Sequence, residues 1–254
     1  MAIGALGYMA IGIESAQAGA AAGTTTHSAN VIDYVPFTSE AFTVVRDDIP
    51  DPGISASWDE DAIFNGLQRV EGNLTLLAHP VQMGYFLRTA FDTFSSFPGS
   101  SGGAVFGITG TTSHAGVRVH HFTTGTQQYQ TGSGTDLPAN TFVVFRTPAG
   151  VGSAFAYYNM CANNYEVTID AGQMMRQSID YLGRDHGRVA RATPTFPPAV
   201  AIPWSTSSVQ VGGLPIRYFE SLTFRIENNM EAIAALDGRT KPDKIKRTIS
   251  AGYS

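Results

Sequence analysis

One stretch of this sequence reads as a helix, and it follows directly on its clearest strand. Across Gln68–Leu77, Val70, Leu74 and Leu76 are separated by polar or small residues, the two-residue period of a half-buried strand. Pro80 then suits a first helical turn. Val81, Tyr85, Arg88 and Phe91, with Phe86, Leu87 and Ala90, give a helical apolar face that ends near Asp92. Gly84 weakens such a helix by roughly 1 kcal/mol relative to Ala. The helix must therefore be held by packing, with Phe86, Leu87 and Phe91 as its anchors on a sheet. Elsewhere long helical patterns are scarce, glycine is abundant, and Thr, Ser, Phe and Tyr recur through the middle of the chain. That composition favours many strands joined by turns.

The remaining strands are placed by spacing and turn chemistry. Val35–Arg46 reads as a strand on Phe37, Phe42 and Val44, and Asp47–Asp61 as a polar loop carrying Pro50, Pro52 and Gly53. Phe97–Gly116, low in charge and rich in Gly, Ser and Thr, reads as a long loop. Strands resume at Val117–Thr123, Thr141–Thr147, Ala154–Asn159, Glu166–Ala171 and Met174–Gly183. Thr193–Pro203 contains Pro194, Pro197, Pro198 and Pro203 and is extended, a linker or crossover. Beyond it lie Ser208–Val211, a turn at Gly212–Gly213 and Ile216–Glu227. The order strand, long polar loop, strand of Val35–Leu77 recurs over Tyr218–Tyr253. The chain thus divides into an arm and flexible loop over 1–34, a β unit with its helix over 35–190, a proline-rich linker over 191–207, and an incomplete second β unit over 208–254.

Charge is distributed unevenly. Glu14, Asp33 and Glu40 precede the first basic residue, Arg46, and Asp47, Asp48, Asp51, Asp59, Glu60 and Asp61 come after it. The lysines, Lys241, Lys244 and Lys246, all lie near the other end. Solvated loops are one reading; head-to-tail association of an acidic end with a basic one is the other. No basic patch with interleaved aromatics points to nucleic-acid binding. Cys161 is the only cysteine, so no internal disulfide or thiolate metal cluster forms. Met1–Gly23 lacks the basic residues of a signal peptide and carries Glu14, and no run is long and apolar enough to span a membrane.

Motifs that could carry chemistry fail on context. Gly99-Ser100-Ser101-Gly102-Gly103 matches a nucleophile elbow by letter, but Phe97-Pro98 precedes it and a Gly/Thr-rich stretch succeeds it, where a buried strand and a helix are required. His120 and His121 are adjacent in a strand and point to opposite faces, so they cannot share one ion. The acidic residues between Asp47 and Asp61 lack the glycine and closing glutamate of a calcium loop. No cofactor is expected and no catalytic residue is assigned.

Several segments, in order, resemble the tail tube (major tail) proteins of long-tailed bacteriophages: Met1–Gly4 with Ile11–Glu14, Pro36–Glu40, Arg69–Thr75 leading into Pro80–Phe91, Ile179–Asp185, and Ser221–Ala232. The resemblance implies a mainly β fold, a β-sandwich or half-barrel flanked by one α-helix, and the order that recurs over Tyr218–Tyr253 suggests a duplicated tube unit. It implies a non-enzymatic virion protein, made in the host cytoplasm, that polymerises as stacked rings to form the conduit for DNA ejection. Its partners would be itself, as a trimer with pseudo-sixfold symmetry or a hexamer, the tape measure protein in the lumen, and the tail terminator and distal tail proteins at the ends. Viral DNA would pass without specific binding, and no membrane would be involved. By its length, the loop carrying Asp47, Asp48, Asp51, Asp59, Glu60 and Asp61 is the candidate for contacts between subunits. The alternatives are another tube-fold component, a tail terminator or distal tail adaptor, or a carbohydrate-binding β-sandwich. The last needs an exposed aromatic platform, for which Trp58 and Trp204 are isolated.

Overall fold

The computed structural model describes residues 7–14, 31–50, 63–91, 93–98, 118–123, 139–146, 152–196, 198, 200–206, 209–211, 214–216, 220–234, 240–242 and 244–247. In chain order the elements are β1 (Tyr8–Glu14), β2 (Val31–Val35), β3 (Ser39–Glu40), β4 (Thr43–Arg46), β5 (Ile49–Pro50), β6 (Ile63–Phe64), β7 (Gln68–Leu77), α1 (Pro80–Ala90), β8 (Thr93–Pro98), β9 (Arg118–Thr123), β10 (Ala139–Phe145), β11 (Ala154–Asp170), β12 (Arg176–Gly183) and β13 (Asp185–Val189). A 3-10 turn at Trp204–Thr206 precedes β14 (Val209–Val211), β15 (Leu214–Ile216), β16 (Ser221–Glu227), β17 (Met230–Ile233) and β18 (Lys244–Arg247).

A ten-stranded antiparallel sheet is organised on β11, which is 17 residues long. β12 and β13 run along one edge of β11. They are joined at Gly183–Arg184, where the Arg184 N–H donates to Tyr158 O (3.2 Å). The opposite edge divides. β10 pairs with Phe155–Met160 and continues to β1 and β2, whereas β16 pairs with Asn164–Asp170. β7 lies outside β12, and β3 and β4 lie outside β7.

The division arises from two extra residues. Between Phe142↔Tyr157 and Asn140↔Met160, β11 has one residue more than β10, and Asn159 there takes a left-handed conformation (φ 54°). Asn163 is a second insertion, between Ala162↔Tyr181 and Asn164↔Asp180. Bulges bend a strand and raise its local twist, so β10 and β16 diverge from one edge. Glu14 braces the first bulge: its carboxylate accepts the Asn159 N–H (2.8 Å) and the Thr141 hydroxyl.

The main core lies between the sheet and α1. Phe42, Leu74, Leu76, Phe86, Phe142, Tyr165 and Ile179 are buried there. Of the expected anchors, Phe86 is fully buried, while Leu87 and Phe91 are half-buried and pack against the same core. Pro80 opens the helix as its spacing implied, and Val81, assigned to the apolar face, is 65% exposed. A second cluster, Tyr8, Ala10, Val143, Phe145, Ala154 and Ala156, lies on the other face of the β1–β10 part.

Several elements differ from the sequence expectation. Tyr8–Glu14, which reads as part of an arm by its residues although the resemblance likens Ile11–Glu14 to a short N-terminal strand, is a buried strand paired on both sides, by β2 and β10. Val35–Arg46 is broken because the chain changes partners at Pro36: β2 pairs with β1, whereas β3 and β4 keep one register along β7. That register needs Gly72, where a Cβ would lie 2.5 Å from Ala41 O and 2.7 Å from Phe42 Cα. Ala154–Asn159 and Glu166–Ala171 belong to one strand, since Asn163 is accommodated as a bulge without a turn. Phe97 and Pro98, read as loop, end β8, which pairs with β9. β13 and β17 were not anticipated, and β16 joins the main sheet directly on β11.

The extended segment through Ala192 and Phe196 runs from β13 to the far end of β12. The Ala192 N–H donates to the Tyr8 hydroxyl (2.8 Å), the Phe196 ring meets Tyr34 edge-on (6.2 Å), and Arg191 lies over Phe145 (4.9 Å). At its end the Ile202 N–H donates to Ala78 O and the Met175 N–H to Ile202 O (both 2.9 Å). It is a strap fastened at both ends across the second cluster.

Replacing Phe86 by Ala should destabilise the fold by about 3–5 kcal/mol, measured by urea unfolding, with Val81→Ala near neutral. Burial raises the pKa of Tyr157, Tyr165 and Tyr181 above the ordinary phenol value. The unfolded chain ionises these groups near pH ~10 while the folded chain keeps them protonated. Their contribution is complete below that pH and falls as pH rises. The urea midpoint should fall between pH ~8 and pH ~11, and Tyr165→Phe should flatten the decline.

Candidate functional site

The face of the sheet opposite α1 is polar because β7, β12, β11 and β16 all alternate in the same phase. Across it runs a connected network. Asn73 Nδ2 donates to Asp180 Oδ1 (2.7 Å) and Ser178 Oγ (3.0 Å), and Asn164 Nδ2 donates to Asp180 Oδ2 (3.2 Å). Arg225 Nε donates to Asn164 Oδ1 (3.1 Å), and its Nη2 pairs with Glu227 (2.7 Å). Arg69 pairs with Glu71 and Asp47. The carboxylates hold the Arg69 guanidinium above its ordinary pKa, the hydrogen bond to Glu71 being the largest cause.

The β17–β18 hairpin crosses this face at the second bulge, with Met230, Ala232 and Ile245 over Cys161 and Leu182. Between hairpin and sheet is a cleft of about 770 Å³ whose walls include Arg69, Asn73, Asp180 and Glu231. Asn228 locks the hairpin in place. Its N–H donates to Asn163 O (2.8 Å), and its Nδ2 to Ala90 O (3.0 Å) at the end of α1 and Ala162 O (2.9 Å). Its Oδ1 accepts from Arg247 (2.6 Å), and the Met230 N–H donates to Asn163 Oδ1 (2.7 Å). One side chain thus satisfies an orphan helix carbonyl and a bulge carbonyl together. Arg184 donates to Pro242 O (2.6 Å) and Lys241 pairs with Asp185 (2.7 Å), tying the segment that leads into β18 to the β12–β13 junction.

The outer edge of β16 has no partner strand among the described residues, and its side chains are mostly exposed. Leu222 (40%) and Phe224 (50%) stand on the face where Ile226 packs into the main core, so apolar surface continues to the edge. β2, β4 and β13 are likewise paired on one side only among the described residues.

Of the acidic residues between Asp47 and Asp61, Asp47 and Asp48 are described. Both are exposed, and they pair with Arg69 and Arg46. Asp51, Asp59, Glu60 and Asp61 lie outside the described residues, as do Trp58 and Ser101. The segment leaves the sheet as the β5–β6 ladder, whose Ile49↔Phe64 pair is exposed. Its base is tight: a Cβ on Gly66 would lie 1.5 Å from Asp47 O. His120 and His121 lie in β9. Among the described residues no three His, Cys, Asp or Glu side chains gather to hold a metal, and no helix is long and apolar enough to cross a membrane.

At the Ala154 end of β11 a groove of about 440 Å³ is lined by Phe42, Val44, Phe155, Tyr157, Arg146 and Arg188. Arg146 bonds to Glu40, Phe42 O (2.9 Å) and the Tyr157 hydroxyl (3.0 Å), and the Glu40 side chain is 3% exposed. The hydrogen bond to Glu40 is the main cause that holds Arg146 above its ordinary pKa. Sequence reasoning missed these residues and the roles of Glu14 and Asn228. The signal for the last two was present: both stand in the segments that carried the resemblance.

Among the described residues the architecture is that of a mainly antiparallel β protein with one packed helix and sheet edges that lack a partner strand. The family described as phage tail tube protein matches residues 4–251, and the chain belongs to that family. No curated protein matches the sequence. Among solved structures, the anti-feeding prophage cap, described as a tube-terminating cap, is similar at 11% identity, with a TM-score of 0.37 over 73% of this chain and 89% of that one.

Asn228→Ala should lower stability by about 1–3 kcal/mol, because the Ala90 and Ala162 carbonyls lose the amide that they share. Urea unfolding measures it.

Proposed function

We propose that copies of this chain join sheet edge to sheet edge into a ring, and that rings stack into the tube through which phage DNA leaves. The observation that carries the reading is the outer edge of β16, which has no partner strand among the described residues and adjoins the exposed apolar side chains of Leu222 and Phe224. An open edge of this kind is an aggregation hazard in a lone subunit and is satisfied by ring closure. Three chains close the ring if the segment 208–254 supplies its own share of the wall, and six if it does not; the mass of a single ring distinguishes them.

The polar face opposite α1 turns to the lumen in this reading. It carries Glu71, Glu166, Asp170, Asp180 and Glu227 against Arg69, Arg176 and Arg225, and Arg69 and Arg225 are paired to acids. Such a surface offers backbone phosphates few free cations with which to replace their counterions, so DNA slides without specific binding. The tape measure protein occupies this lumen during assembly, and terminator and distal tail proteins close the ends. The segment from Asp47 to Asp61 mediates contacts between subunits, since long loops in ordered domains are usually functional or disordered.

Deleting Asp48–Glu60 should leave a soluble, folded protein that no longer polymerises, as judged by circular dichroism and negative-stain imaging. Tubes of normal length and stability from the deletion variant would remove the loop from the assembly contacts.

A further inference from the structure

The two ends of β11 carry exposed surfaces of complementary chemistry. At the Asp170 end, the turn to β12 is tied to two neighbouring segments. The Gln173 N–H donates to Asp170 O (3.0 Å), the Ala171 N–H to Glu220 O (2.9 Å) and the Trp204 N–H to Gln173 O (3.1 Å), and Met174 bridges Pro203. Thr206 closes the 3-10 turn by donating its N–H (3.2 Å) and hydroxyl (3.0 Å) to Pro203 O. The backbone of Trp204 is therefore held at the end of the strap, and its side chain is 49% exposed, as Met174 is 45% exposed on the neighbouring turn. The backbone of Asp170 and Glu220 is part of the same tip.

At the Ala154 end lies the groove floored by Phe42 and Tyr157, with Val44 38% exposed at its mouth. The Arg146 and Arg188 guanidinium carbons lie 5.7 Å and 5.9 Å from the Phe155 ring centre. Arg146 is neutralised by Glu40, whereas Arg188 is exposed at the rim. Apolar aromatic floor and cationic rim suit an indole flanked by carboxylates.

We propose that Trp204 of one copy seats in the groove beside Arg188 of the next, with Asp170 and Glu220 facing the cationic rim. The inference rests on the reading that copies of this chain stack, and it names the axial contact. Seat and knob sit at opposite ends of the longest strand, so the contact is head to tail and repeats without closing, as a stack of rings requires. A tryptophan on a hydrogen-bonded backbone turn loses little backbone freedom on docking, and buried Trp and Arg dominate binding energy in protein interfaces.

The test uses the full chain in five forms: wild type, Trp204→Ala, Arg188→Glu, Glu220→Arg and the double reversal. Tube formation is read by pelleting and negative-stain imaging, and folding by circular dichroism. Trp204→Ala should stay folded and ring-forming but raise the concentration needed for tubes by about tenfold or more, as loss of a hot-spot residue does. Each charge reversal should weaken stacking, and the double reversal should recover a good part of it. Wild-type tubes accompanied by equally abundant Trp204→Ala tubes would overturn the seat and leave the tube reading intact. A wild-type chain that stays monomeric would overturn both.

Discussion

Two extra residues in one long strand set the layout of this protein. A strand normally offers each edge to one partner, but β11 bends at Asn159 and again at Asn163 and so divides one edge between β10 and β16. Bulges interrupt backbone pairing, and the groups they strand must be satisfied elsewhere. Glu14 does this for the first, from a strand at the opposite end of the sequence, and Asn228 for the second, from the turn after β16. The helix is drawn into the same arrangement, because Asn228 also takes the carbonyl of Ala90.

The divided edge leaves apolar surface on both sides of part of the sheet. The main core is closed by α1. The second cluster is covered by the proline-rich strap, whose extended residues supply few internal hydrogen bonds and depend on the Tyr8 hydroxyl and the Ala78 and Met175 backbone to stay down. The polar face is left for the hairpin and for solvent. Sheet edges with no partner strand among the described residues, a polar face and an exposed aromatic tip together support the assembly reading.

The sequence made the regular elements legible where alternation was clean. β7 begins and ends where Val70, Leu74 and Leu76 placed it, and Pro80 marked the start of the helix. Glycine and proline punctuation misled where pairing was long-range. Tyr8–Glu14 shows no strict alternation because it is buried on both faces, with successive side chains set in the two clusters, and so it reads as an arm. Ala154–Asn159 and Glu166–Ala171 read as two strands because the bulge at Asn163 shifts the alternation between them. Phe86 stood out as an anchor by spacing, whereas Arg188 and Trp204 did not, since each owes its setting to chain segments remote in sequence.

The partners of β11 and β1 have a further consequence for the order in which this protein can form. β1 is separated from its inner neighbour β10 by the helix and the β8–β9 pair, and β16 comes later still in the chain. Contacts between such distant segments form slowly, because the intervening chain must be gathered before they stabilise anything. The β16 edge also depends on β11 and on Asn228, and until those residues are in place it does not have its final shape.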